Sequence, residues 1–293
     1  MRVTIFGTGA MGCLFAARLS KAARVTMLGT WREAIQTIRR AGIRIEESGQ
    51  SRSVPVAAEF YGTPLPPADL VLVLVKSWQT QSVAGYLPQY LGVNGAALSL
   101  QNGLGNIEAL GEKAFPGVTE EGATLSAPGY VIHCGAGPTH VTAPEHVAEL
   151  FRNAGFETYA CAPEKAESLI WGKLAVNCGI NALTALLGVC NGELLKREGA
   201  SVMMRRAALE CASVADAGGI VLPFADAAAR VTEVARKTAK NRSSMFQDIL
   251  RGCPTEIDAI NGAVVREGTR LQVPTPVNEA LWQAIKQRES NLI

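Results

Sequence analysis

Several things are scarce in this chain, and each scarcity removes a class of function. Its 293 residues include only three histidines, and none of its seven cysteines stands in a C-x-x-C pair. Cys13, Cys134, Cys161, Cys178, Cys190, Cys211 and Cys253 are scattered and odd in number. That spacing signals neither a disulfide framework nor a zinc site, so no metal is expected and the cysteines read as buried, reduced thiols. Neither sign of charge is in excess: 28 Lys and Arg against 26 Asp and Glu leave a formal +2, too balanced for a nucleic-acid-binding surface. Basic pairs such as Arg205-Arg206 read as solvated helix faces. No apolar run approaches the roughly 18 residues of a membrane span. The opening MRVTIFG has the pattern of a strand, not of a charged leader followed by an apolar stretch. No internal repeat or low-complexity tract is present. A soluble, cytoplasmic protein is expected, with neither a nucleic-acid nor a membrane partner.

What the chain does have is apolar mass: 48% of its residues are hydrophobic and 18% charged, enough for a full core and, at this length, about two domains. RVTIFG reads as a short buried strand, TGAMGCLFAARLS as the start of a helix, and ARVTML as a second strand. At the first strand-to-helix junction Gly7, Gly9 and Gly12 make G-x-G-x-x-G, with Thr8, Ala10 and Met11 between them. One glycine makes the tight turn, the second lets a pyrophosphate approach the backbone, and the third lets helix and strand pack closely. The helix N-terminus then offers unpaired N–H groups and a positive dipole end to the phosphates. A merely structural glycine turn is the competing reading; the strand-turn-helix context favours dinucleotide binding.

The choice of dinucleotide falls near the end of the second strand, where an acid would bond an NAD ribose and an arginine would accommodate the NADP 2′-phosphate. The segment is MLGTWREAIQ, with Thr30 at the strand end and Arg32 and Glu33 just beyond. NADP(H) is favoured, with Arg32 as its ligand; NAD(H) stays compatible through Glu33.

Further strands are expected at DLVLVLVK (69–76) and GAALSLQNG (95–103), continuous apolar runs suited to burial on both faces of a parallel sheet. Ligands in such sheets bind at the carboxyl ends of strands, which makes Lys76, Gln79 and Asn102 candidates for the cofactor or substrate. Asn102-Gly103 is equally consistent with a plain turn. Between about Gly122 and Tyr159 segments such as YVIHC and THVTA look like extra strands, and His133 and His140 within them read as structural. From Pro163 the pattern is almost wholly helical, with breaks at Asn191-Gly192, Gly218-Gly219, Pro223, Cys253-Pro254 and Pro274 to Pro276. The expected architecture is α/β: an N-terminal Rossmann-type dinucleotide-binding domain over 1–162, then an all-α C-terminal domain over 163–293. Clefts between domains are favoured ligand sites.

In the helical half, WGKLAVNCGINALTA carries Lys173, Asn177 and Asn181 at intervals of four, one polar stripe on a helix otherwise fit for burial. Spacing alone is compatible with a solvated face or with the wall of an active site.

The G-T-G-A-M-G loop, LVKSWQT at 74–80, QNGLGNIE at 101–108, LIWGKLAVNCGINALTAL at 169–186, NGEL at 191–194, SSMFQDI and TEIDAINGAVV together resemble the ketopantoate reductase family, the 2-dehydropantoate 2-reductases. The resemblance runs in order along nearly the whole chain. It implies that Lys173 is the proton donor to the substrate oxygen. Asn177, Asn181 and Asn191 match substrate-contacting asparagines, and Ser244 a residue that binds the substrate carboxylate. Glu256 matches an acid at the cofactor and active-site end. Lys76 and Asn102 match residues on the nicotinamide side, Asn102 also touching substrate, and Ala127 falls among the cofactor contacts. The family's usual arginine after the second strand falls at Thr30, a departure that leaves Arg32 as its substitute.

The residue types suit the chemistry on their own account. Reducing a 2-keto acid delivers hydride to the carbonyl carbon while the oxygen takes a proton. A lysine, with a reference pKa of about 10.4, both stabilises the developing charge and donates the proton. A neighbouring Glu256 would favour the charged ammonium in a closed cleft. Asparagines, with a donor and an acceptor each, hold a hydroxyl or carbonyl without adding charge. Ser244, opening a helix, would join its hydroxyl to backbone N–H groups in holding a carboxylate; a plain N-cap is the bland reading. The expected activity is NADPH-dependent reduction of ketopantoate to pantoate, a step toward coenzyme A, with a small anionic 2-keto acid as ligand. A family paralogue acting on another 2-keto acid, a methyltransferase using a glycine-rich first turn, and a non-catalytic dinucleotide-binding protein are the rivals. A homodimer is compatible with the apolar helix faces.

Overall fold

A computed structural model describes residues 1–290. The chain divides into two compact units, the first comprising Met1–Gln101 and Asn106–Ala166, the second Asn102–Gly105 and Glu167 onward.

The first unit opens with β1 (Arg2–Phe6), α1 (Ala10–Leu19), β2 (Arg24–Gly29) and α2 (Arg32–Ala41). It continues through β3 (Ile43–Glu47), β4 (Gln50–Val54), β5 (Ala57–Phe60), β6 (Ala68–Val73), α3 (Thr80–Ala84) and α4 (Leu87–Tyr90). Then come β7 (Leu91–Ser99), α5 (Asn106–Leu110), β8 (Ala114–Thr119), β9 (Gly122–Ala127), β10 (Tyr130–Gly135), β11 (Thr139–Val141), α6 (Glu145–Asn153) and β12 (Thr158–Ala160). Eight strands form one sheet in the order β12-β11-β8-β7-β6-β1-β2-β5, parallel throughout except where β8 meets β11. The apolar runs of β1 and β6 are buried because both sheet faces are covered. On one side Phe15 of α1 stacks on Phe156 at 4.4 Å; on the other Phe6 meets Tyr61 and Tyr90 edge-on. Strand order reverses at β1, which is flanked by β2 and β6, and this reversal opens the crevice where a doubly wound sheet binds ligands.

A second, four-stranded sheet in the order β4-β3-β10-β9 was not foreseen, apart from the strand at YVIHC. Its β3–β4 hairpin turns through Ser48 and Gly49, both with positive φ (51° and 77°), the pair of left-handed residues a two-residue turn requires. Buried charge fastens this sheet to α1. Arg18 bonds Glu47 at 2.8 Å and donates to His133 Nδ1 at 3.2 Å, while His133 Nε2 lies 2.6 Å from Glu121. Arginine can only donate, so His133 accepts at Nδ1 and carries its proton on Nε2, toward the carboxylate. His133 is structural, as its strand setting suggested.

The second unit holds most of α7 (Pro163–Leu187), then α8 (Glu198–Ala217), α9 (Ala227–Lys237), α10 (Ser244–Leu250), α11 (Asn261–Leu271) and α12 (Pro276–Ser290). A 3-10 segment, Asn191–Lys196, precedes α8. Helix α7 is tightly packed within it. A Cβ at Gly172 would lie 2.7 Å from Pro223, and one at Gly179 would lie 2.6 Å from the Met204 carbonyl oxygen, so neighbouring segments press directly on its backbone. The expectation that no apolar stretch reaches membrane-spanning length fails here. An 18-residue window of α7 has mean hydropathy 1.3, and 67% of it is buried, as in the core helix of a globular unit. The cysteines also need correction: Cys13, Cys178 and Cys211 are buried, but Cys134 and Cys253 are exposed. Sequence spacing carries no information on which thiols a strand edge or loop leaves outside.

Candidate functional site

In the first unit the loop between β1 and α1 lies at the sheet's reversal point. Gly7 has φ +120°, a conformation open to glycine, and its N–H bonds Leu28 O at 2.8 Å. A Cβ on Gly12 would stand 2.1 Å from the Gly7 carbonyl oxygen, so the third glycine is the one that admits the helix against the strand end. Gly9 is different. It caps α1 without a side-chain hydrogen bond, and a Cβ built on it meets nothing within 4 Å. No acidic residue occupies the first turn of α1. An exposed, side-chain-free N-cap over unpaired N–H groups fits a dinucleotide pyrophosphate.

Further loops of the first unit lie after the neighbouring strands. A Cβ on Gly29, at the end of β2, would come 2.9 Å from the Thr8 side chain, so the strand end itself carries no ligand-reading group. Thr30, Arg32 and Glu33 are exposed just beyond it. After β6, Lys76 and Gln79 are half-buried around the short 3-10 turn Ser77–Gln79. That turn is held by a network the sequence reading missed. Gln101 Nε2 donates to Val75 O (2.9 Å) and Thr80 Oγ1 (2.8 Å), and Thr80 Oγ1 donates to Asn106 Oδ1 (2.9 Å). The signal was available, since Gln101 and Asn106 bracket the glycines of QNGLGN. Ala127, in contrast, lies at the exposed end of β9, in the four-stranded sheet.

In the second unit Lys173, Asn177 and Asn181 do form one stripe on α7. It is not a solvated face: Lys173 and Asn177 are half-buried and Asn181 is 6% exposed. Gly172 and Gly179 lie roughly 100° or more around the helix from Lys173, so the tight backbone contacts at these glycines fall on a different face from Lys173. The loop Asn102–Gly105 also belongs to this unit. Asn102 Nδ2 donates to Glu256 at 3.1 Å and Leu104 N–H to Ala259 O at 3.0 Å, while Gly103, with φ +81°, would strike that same carbonyl with a Cβ at 2.3 Å. Asn102-Gly103 is therefore a docked turn, and Glu256, 5% exposed, is one of its anchors.

Ser244 is not a helix cap. That role belongs to Ser243, whose hydroxyl accepts from Phe246 N–H at 3.1 Å and shares a hydrogen bond with the Thr184 hydroxyl at 2.7 Å, tying α10 to α7. Ser244, one residue on, is half-buried with its hydroxyl not spent on capping. Asn191 is 7% exposed and donates through Nδ2 to Thr238 Oγ1 at 2.8 Å.

Two family models cover nearly all of the chain: Ketopantoate reductase PanE/ApbA matches residues 3–146, and Ketopantoate reductase PanE/ApbA C terminal matches residues 165–289. The chain belongs to the ketopantoate reductase family. Among curated relatives, the 2-dehydropantoate 2-reductase of Archaeoglobus fulgidus is 36% identical over 99% of both chains, and that of Vibrio cholerae 34% over 99% of both. A PanE/ApbA family ketopantoate reductase from Ralstonia eutropha superposes with TM-score 0.91 at 32% identity, covering 100% of this chain and 99% of that one. D-mandelate dehydrogenase, solved with NADH and anilino(oxo)acetate, superposes with TM-score 0.93 at 26% identity over the same shares. The fold is thus the family's Rossmann-type α/β unit joined to a helical C-terminal one.

Proposed function

We propose that this protein is a 2-dehydropantoate 2-reductase, an oxidoreductase that reduces the ketone of ketopantoate to the alcohol of pantoate with NADPH, in the cytoplasm. The observation that carries the reading is the Lys173, Asn177, Asn181 stripe: a lysine and two asparagines on one face of a core helix, away from the two glycines where neighbouring segments press on its backbone. A lysine and two carboxamides aligned on one helix face suit a substrate oxygen that gains charge as it is reduced.

The bound nicotinamide supplies the hydride. The remaining work belongs to the chain. Lys173 Nζ holds the proton and transfers it to the ketone oxygen as that oxygen gains electron density. Asn177 and Asn181 orient the substrate with neutral hydrogen bonds, leaving the ammonium as the dominant field at the reacting oxygen. Ser244, spared the capping role, binds the carboxylate. Glu256 and Asn102, bonded to each other at 3.1 Å, form a fixed polar edge for the cofactor and substrate. Gly7 through Gly12 would hold the pyrophosphate of the dinucleotide, and Lys76 and Gln79 would contact the cofactor.

NADPH is preferred in this reading because no acid stands at the end of β2, where Thr30 is exposed, and Arg32 opens α2. The deciding experiment follows reduced-nicotinamide absorbance on adding ketopantoate, with NADPH and NADH in parallel. Turnover with NADPH exceeding that with NADH is expected. No loss of absorbance with either cofactor would sink the reading; a preference for NADH would overturn the cofactor assignment alone.

The related D-mandelate dehydrogenase makes an aryl 2-keto acid the substrate of a second reading. The buried, polar setting of Asn191 favours a substrate with a hydrogen-bonding tail over an aryl one.

A further inference from the structure

We propose that Thr238 is a positioning residue. It turns the Asn191 amide so that the carbonyl oxygen, and not the amino group, is presented to a hydroxyl of the substrate. The inference rests on the 2-keto acid reductase reading above and names the part of the substrate that the site distinguishes.

The argument is one of proton accounting. Thr238, at the C-terminal end of α9, has a single hydroxyl proton, and it donates that proton to Val234 O at 2.7 Å. Toward Asn191 its oxygen can therefore only accept, and it accepts from Asn191 Nδ2 at 2.8 Å. The flipped amide would set two acceptors against each other. The backbone allows little escape: Asn191 N–H bonds Asn241 O at 3.0 Å and Gly192 N–H bonds Ala239 O at 3.1 Å. A Cβ at Gly192 would fall 2.5 Å from that of Ala239, so the two segments are in direct contact.

With the amide fixed in this sense, Asn191 Oδ1 is buried and has no hydrogen-bond donor among the described residues. A buried carbonyl oxygen left so costs on the order of 1–3 kcal/mol, which a ligand donor recovers. Asn191 sits beside the segment that leads through Asn241 to Ser243 and Ser244. Asn261 Oδ1 is also unpartnered, but Asn261 is fully buried, with its amino group held by Cys178 O and Asn278 Oδ1 inside the helical core.

Substrate chemistry then selects the partner. In ionised ketopantoate the carboxylate and the ketone only accept, and the terminal hydroxyl is the one donor. An aryl 2-keto acid has none. A carbonyl oxygen at Asn191 thus reads the hydroxyl tail, and a site with an unpaired acceptor discriminates against acids that lack it.

The test uses Thr238→Val and Thr238→Ser in the full-length protein, each assayed with ketopantoate and with 3,3-dimethyl-2-oxobutanoate, which keeps the branched carbon and lacks the hydroxyl. Thr238→Val keeps the side-chain shape, loses the acceptor, and raises KM for ketopantoate roughly 10-fold or more with a smaller change in kcat. KM for the hydroxyl-free acid stays within about twofold, and Thr238→Ser restores wild-type behaviour on both. Equal effects of Thr238→Val on the two acids, or none on either, overturn the positioning role while leaving the reductase reading intact. Wild-type enzyme that prefers the hydroxyl-free acid overturns the positioning role and ketopantoate as the substrate, and reduction of neither acid overturns the reductase reading as well.

Discussion

Two neighbouring glycines, replaced one at a time by alanine, separate folding from cofactor binding in the first unit. At Gly12 an added methyl carbon would lie 2.1 Å from the Gly7 carbonyl oxygen. The closest comfortable C···O approach is about 3.3 Å, so α1 must move away from β1 by on the order of 1 Å. Overpacking against backbone, which cannot rotate aside, costs about 3 kcal/mol or more. For a unit of this size that lowers the melting temperature by about 6–12 °C. Gly9 has φ −79° and ψ −169°, values open to any L-residue, and a methyl there meets nothing within 4 Å. Loss of the glycine N-cap preference and the smaller entropy of the unfolded chain nearly cancel, leaving the melting temperature within about 2–4 °C. Yet the same methyl covers the N–H groups that a pyrophosphate must reach. Losing two charge-assisted hydrogen bonds worth about 1.5 kcal/mol each weakens cofactor binding by roughly 10²-fold. Thermal melts of both variants, paired with fluorescence titration of reduced cofactor, read out the difference. Wild-type cofactor affinity in Gly9→Ala would refute the phosphate placement, and a wild-type melting temperature in Gly12→Ala would refute the packing argument.

Lys173→Ala is expected to leave the cofactor dissociation constant unchanged while lowering kcat by roughly 10²-fold or more, the scale of a lost general acid; full activity would remove Lys173 from the chemistry. Acid stability should depend on Glu47. Desolvation tends to raise its carboxyl, but hydrogen bonds from Arg18 and Arg52 outweigh this and hold it below the ordinary glutamate value. A depressed acid contributes stability that is fully present above the unfolded value of about 4.3 and is lost as pH falls through the lower folded value. Glu47→Gln should therefore flatten the acid limb of the stability curve, and an unaltered limb would contradict the pairing. Thiol labelling at about pH 8 should modify the exposed Cys134 and Cys253 first. Burial pushes Cys13 up to about 12 and Cys178 well above its ordinary value, so both should react only on unfolding; rapid modification of either would contradict the packing of its helix.

Much of this was legible because the responsible physics is local. Strands buried on both faces must be continuously apolar, and RVTIF and DLVLV could hardly be anything else. The glycine loop was readable for the same reason, since each glycine answers a steric demand made within a few residues. What escaped depends on partners distant in sequence. The β3–β4 hairpin was missed although Ser48-Gly49 is a turn signal between alternating segments, because IRIEE and QSRSV carry too little apolar character to read as strands alone. Ser244 does open α10, but its neighbour's capping role was not readable, because Ser243 and Ser244 are chemically identical in sequence and Ser243 is further tied to the Thr184 hydroxyl, 59 positions away. Thr238 carried no signal at all: its part depends on where its one proton goes, and that is a property of the folded helix end.

The end of β2 is constrained from upstream. Gly29 ends β2 beneath the side chain of Thr8, which leaves no room for a Cβ there. The last strand position is thus surrendered to packing of the glycine loop, and any reading of the adenosine ribose must begin at Thr30. Thr30 offers a hydroxyl but no charge. The next charges, Arg32 and Glu33, are both exposed in the first turn of α2, one of each sign and adjacent. Both being exposed, solvent screens their fields beyond about a Debye length of 10 Å. A 2′-phosphate therefore gains from Arg32 only by direct contact, and a free 2′-hydroxyl loses little from its presence. In the NADPH reading proposed above, cofactor choice would therefore turn on one side chain's reach, whereas the shape of the glycine loop itself is fixed sterically at Gly7 and Gly12.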